Sequence, residues 1–90
     1  MAAPTPTDPQ ALALHALAIA ISDERRARRF LDLTGIGTDE LRAQAADPVL
    51  LAALIRFLEA HEPDLVAVAE AMNISPNALV AARIELEEQT

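Results

Sequence analysis

The chain has 90 residues, a formal net charge of −7 and no cysteine, which leaves room for one domain and excludes both a disulfide frame and a thiolate metal site. Apolar residues make up 52% of it while aromatics make up 2%, so a core that buries only about 60 to 65% of the unfolded surface has to be Leu, Ile, Val and Ala on closely packed helices. An acidic chain repels a phosphate backbone unless its positive charge is gathered in one place, and a chain without cysteine suits a reducing compartment; a cytoplasmic protein is the expectation.

Residues 1–7, "MAAPTPT", hold small residues and prolines with nothing to bury and are expected to be a disordered tail; residues 8–90 form the single helical domain. Within it one start signal recurs, a capping residue beside a proline whose fixed φ suits the first helical turn. It occurs at Thr7-Asp8-Pro9, Asp47-Pro48, Glu62-Pro63 and Ser75-Pro76. Ser22-Asp23 and Thr38-Asp39-Glu40 are starts without proline, with carboxylates at the positive end of the helix dipole. Six helices follow, over about 9–21, 23–33, 39–46, 48–60, 63–72 and 76–88, with Gly35 and Asn73 as left-handed stops. The fold class is therefore all-α, a compact bundle of five to six short helices with a helix-turn-helix-like C-terminal pair.

The first helix, "ALALHALAIAIS", is too short to span a bilayer, which takes about 20 apolar residues, and no basic residue precedes it as in a signal peptide. It is apolar on nearly every side: Leu14, Leu17 and Ile21 form one stripe, and Leu12, Ala16 and Ile19 lie opposite. Such a helix is either enclosed by its neighbours or meets another chain. The second helix carries Arg25, Arg26, Arg28 and Arg29 in five residues, flanked by Asp23, Glu24 and Asp32. Arg28 can pair with Asp32 one turn on, and the cluster reads mainly as a solvated face. The fourth helix, with Leu50, Leu51, Leu54, Ile55, Phe57 and Leu58, has the widest apolar face and belongs at the centre.

Two elements resemble nucleic-acid motifs. In "LDLTGIGTDELR" the amides around Gly35, Ile36 and Gly37 could face a phosphate as in a helix-hairpin-helix, but Asp39 and Glu40 stand where it would dock, with Arg42 as the one compensating cation. Equally well, Gly35 closes one helix, Ile36 anchors the turn and Thr38 caps the next. The other element places Val68, Ala69, Met72, Asn73, Ile74 and Leu79 at helix-turn-helix positions. Its second helix offers Pro76, Asn77, Val80, Ala81 and Ile84 and then Glu85, Glu87 and Glu88, where base reading calls for Arg, Lys, Asn or Gln.

Catalytic and metal signals are weaker. His15 has no nucleophile or acid near it in sequence. Glu59, His61, Glu62 and Asp64 in "EAHEPD" could attract a cation, but they lack the second histidine of a zinc-protease helix and the glycine of a calcium loop. Gly35 and Gly37 follow no strand and precede no lysine, so they make no nucleotide loop. No catalytic residue, cofactor or metal is assigned.

The run "RFLDLTG" leading into "DELRAQAADPVLLAALIRFLEAHE" resembles a family of short, uncharacterised alphaproteobacterial proteins grouped as a domain of unknown function. The likeness extends over about residues 9 to 86. It implies a small all-helical protein and transfers no activity to any position. The function expected is a non-enzymatic protein–protein interaction module. It would bind an unidentified protein or a second copy through Leu12, His15 and Ile19 with the neighbouring Arg25, Arg26 and Arg29; arginine suits such a surface through its planar fork. The alternative is a small DNA-associated regulator contacting through Gly35, Gly37 and Arg42 or through the last two helices.

Overall fold

The structure, a computed structural model, describes residues 8–89; the tail expected over residues 1–7 lies outside them. Six helices follow in order: α1 (Pro9–Ile21), α2 (Glu24–Thr34), α3 (Thr38–Ala43), α4 (Pro48–Glu59), α5 (Glu62–Met72) and α6 (Pro76–Glu88). No strand forms among the described residues.

The starts follow from capping chemistry. Asp8 accepts from the amides of Gln10 and Ala11, Asp23 from Arg26, Asp47 from Val49, and Ser75 from Ala78. Three starts differ from expectation by one residue, and α3 ends at Ala43 rather than at 46. Asp23 is the N-cap of α2 and not its first residue. Gly37, not Thr38, holds the N-cap of α3; it has no side chain to accept from the first turn, and Glu40 at the third helical position reaches back to accept from the Gly37 amide at 3.1 Å. His61, not Glu62, caps α5, and its side chain accepts nothing; Pro63 in the first turn needs no partner for an amide it lacks. The stops are as read: Gly35 at φ 74° and Asn73 at φ 60° are left-handed and close α2 and α5.

Helix α4 is the centre, with Leu51, Leu54, Ile55 and Leu58 fully buried, and α1, α5 and α6 pack around it. Helix α1 turns Ala13, Ala16, Leu17 and Ala20 inward; three of the four are alanines, so its neighbours come close without large side chains between them. Helix α2 buries Phe30 alone, and that ring meets Phe57 of α4 edge-on at 5.3 Å. Helices α5 and α6 cross at 98°, within the range of a helix-turn-helix, with Val68, Ala69 and Leu79 buried at the corner and Met72 and Ile74 half-buried beside them. Among the described residues, no single helix is long and apolar enough to cross a membrane.

Candidate functional site

Burial divides α1 cleanly. With Ala13, Ala16, Leu17 and Ala20 inside, the opposite side shows Ala11, Leu14, His15, Ala18 and Ile21, all exposed, at spacings of three and four. That is the period of a helix seam. Leu14 keeps 41% of its surface and Ile21 39%, much for large apolar residues on a helix whose inner face is already covered. Leu12 and Ile19 occupy the borders and pack half-buried against the core. Of the three α1 residues expected to meet a partner, His15 is therefore the one fully on the outer face. Leu14 and Ile21 supply the apolar surface that sequence alone gave to an inward stripe.

Beside the strip runs an apolar groove of about 270 Å³ between α1 and α3. Its floor is Leu17 and Leu41, both buried, and its rims are Leu14, Ala18 and Ile21 on one side and Thr38, Arg42 and Ala45 on the other. The turn that follows α3 is tied to the start of α1, where the Gln10 side-chain amide donates to the Ala46 carbonyl at 2.6 Å. No carboxylate lines the groove. Arg42 is exposed, and no acidic partner reaches it among the described residues.

The arginine cluster of α2 splits into two roles. Arg26 and Arg29 converge on Asp64 of α5, the one buried charged residue among the described residues. Arg29 donates a hydrogen bond to Asp64 Oδ2 and lies over the Phe57 ring at 5.3 Å. Arg26 Nε stands 3.1 Å from Asp64 Oδ1 as an ion pair that is not aligned as a hydrogen bond. Burial pushes the Asp64 carboxyl up, but the hydrogen bond from Arg29 and the positive charge of both guanidinium groups outweigh it and hold the group below its ordinary value of 3.8. Arg25 and Arg28 stay exposed, and no Arg28–Asp32 pair forms among the described residues. Two of the expected interaction residues, Arg26 and Arg29, are thus committed to fastening α2 onto α5. Sequence gave no sign of this, because Asp64 lies 35 residues away from Arg29.

A second ionic group joins α4 and α6. Arg83 grips Glu59 with Nε at 2.7 Å and Nη2 at 3.1 Å, and reaches Glu87 with Nη1 at 3.0 Å. Arg56 holds the same Glu87 through Nη2 at 3.0 Å. The hydrogen bond from Arg56, then that from Arg83, keeps the Glu87 carboxyl below its ordinary value against the opposing effect of desolvation. The single arginine on the would-be reading helix is therefore paired twice. Asn77, Ala81, Ile84, Glu85 and Glu88 make up its exposed side.

At the glycine hairpin both glycine amides are occupied. Gly35 N–H donates to the Leu31 carbonyl at 2.8 Å and Gly37 N–H to the Glu40 carboxylate at 3.1 Å. A phosphate arriving here would have to displace an internal carboxylate. In "EAHEPD", Glu59 and Asp64 are taken by arginines, while His61 and Glu62 are exposed. No three potential metal ligands gather among the described residues.

A family model described as "Protein of unknown function (DUF3572)" matches residues 6–89. No curated protein and no solved structure matches the chain.

Proposed function

Because the chain belongs to the family described as Protein of unknown function (DUF3572), a description that carries no activity, we propose a function from its surface: a non-enzymatic helical module that binds another protein chain through the outer face of α1 and the adjoining groove. The observation that carries this is Leu14 and Ile21, exposed together on either side of Ala18 above an apolar groove without a carboxylate. In a chain with 14 acidic residues, a strip of that length without a carboxylate or an arginine is covered at little desolvation cost. Covering what remains open of Leu14 and Ile21 contributes about 1 kcal/mol for each. Arg42 at the rim adds a cation able to hold a carboxylate or carbonyl of the occupant. The cytoplasmic location and alphaproteobacterial origin expected from the sequence belong to the same proposal.

Tagged chain used for capture from its native cell, compared with Leu14→Glu/Ile21→Glu, tests the reading. The wild type retains a protein companion that the double variant loses, while helicity by circular dichroism is equal in the two. Equal retention by both would move the contact elsewhere. The 98° crossing of α5 and α6 supports the DNA-associated alternative in geometry alone. Titration with duplex DNA at low salt would favour that alternative if amide shifts clustered at residues 35–42 or 75–83 and faded as salt rose.

A further inference from the structure

We infer that the occupant of the α1 face is a second copy of this chain, paired through α1 against α1 in antiparallel register; this rests on the proposed function and names its partner. The exposed face carries Ala11, Leu14, His15, Ala18 and Ile21, and apart from His15, which lies beside the proposed two-fold, its residues alternate small and large as Ala11, Leu14, Ala18 and Ile21. An antiparallel two-fold centred on position 16 sets Leu14 against the second copy's Ala18 and Ala11 against the second copy's Ile21. Each of these apolar layers then holds one large and one small side chain, the combination that lets two helices approach closely. The contact is isologous, so each pairing occurs twice in the dimer. A parallel pair would stack Leu14 on Leu14 and leave Ala18 facing Ala18.

Charge selects the same face and the same direction. Helix α1 is the one helix of the six with neither an acidic residue nor an arginine, so two chains of net charge −7 meet through it with the least like-charge repulsion. The antiparallel direction opposes the two helix dipoles. It also brings Asp8, exposed at one end of α1, level with the start of the second copy's α2, where Arg25 is exposed and forms no ion pair among the described residues. Area fixes the strength. A 13-residue helix is about 20 Å long, and a strip of that length with its groove covers on the order of 400 Å² per chain. A standard stable interface takes about 800 Å² per partner. The dimer is therefore weak and reversible, visible at concentrations of order 10⁻⁴ M and dispersed well below that.

Sedimentation equilibrium of the full chain, from about 10 μM to 1 mM, tests the inference together with four variants. The wild type is expected to pass from monomer to dimer over that range. Ala18→Glu sets a carboxylate against the opposing leucine and weakens pairing at least tenfold. Leu14→Ala leaves a gap and Ala18→Leu forces two leucines into one layer, so each weakens pairing alone. The combined Leu14→Ala/Ala18→Leu chain regains it, because large and small have only changed places. Helicity measured on each variant shows that it folds, and the swapped pair carries the test if the charged variant does not. A wild type that stays monomeric at 1 mM, a dimer that survives Ala18→Glu, or a swap that fails to restore pairing each overturns the self-contact. Capture of a different protein that depends on Leu14 and Ile21 would then leave the proposed function standing; loss of both results would remove it as well.

Discussion

Asp64 shows how much one carboxylate decides. It sits on the first turn of α5, yet its partners Arg26 and Arg29 lie on α2, and Arg29 is in turn stacked over Phe57 of α4. Three helices therefore depend on one buried charge. Replacing it by Asn leaves Arg26, 14% exposed, without its counter-charge. The expected loss in a urea titration is about 2 kcal/mol, less than the ~3–5 kcal/mol for breaking a fully enclosed pair, because Arg29 is half in water. The same residue sets an acid response. Its folded carboxyl titrates below 3.8, so above that value both folded and unfolded chains hold it ionised and the full contribution is present; between 3.8 and the lower, folded value the folded chain binds fewer protons than the unfolded one, and the contribution is lost as the pH falls through that window. Chemical denaturation between pH 6 and pH 2 should show wild-type stability declining below about pH 4, with the Asp64→Asn chain declining less.

At the level of elements, the caps and stops were legible because each is a local event. Pro9, Pro48, Pro63 and Pro76 mark four starts, and Gly35 and Asn73 two stops, through backbone preferences that need no tertiary neighbour. The one-residue displacement at Gly37 goes with Glu40, whose carboxylate accepts from the Gly37 amide and so favours the glycine as the residue that opens the helix. Two substitutions check this layer. Gly35→Ala meets no atom within 4 Å of the added methyl but must hold φ at 74°, so it should lower stability by about 1 kcal/mol through backbone strain alone. Ser75→Ala removes the acceptor for the Ala78 amide and should cost about 1 kcal/mol in thermal denaturation. The direction in which α1 faces was not legible. Its apolar residues surround it, and alanine is as good a core residue as leucine where helices lie close; the choice of Ala13, Ala16 and Ala20 for the inside is made by α4, α5 and α6 together. Arg26 and Arg29 were hidden for the same reason, since an arginine bound for a distant carboxylate looks in sequence like one bound for solvent.

Across the whole molecule the core is α4 with helices arranged about it, and a chain of this size has only on the order of 5–10 kcal/mol of stability to lose. Leu54→Ala, at a position with no exposure, should remove about 3–4 kcal/mol and leave a partly unfolded population at 37 °C, seen as reduced helicity. Leu14→Glu, on the outer strip, should leave helicity and denaturation midpoint within about 0.5 kcal/mol of wild type. That contrast separates residues that hold the fold from those that meet something outside it. The aromatic content of the chain adds a means of watching it. Phe30 and Phe57 are the only phenyl rings, and they touch each other at the junction of α2 with α4. Every phenylalanine proton resonance therefore originates at that one joint, displaced by the magnetic anisotropy of the neighbouring ring. The protein carries its own gauge of whether the second helix is seated, readable in a one-dimensional spectrum without any label.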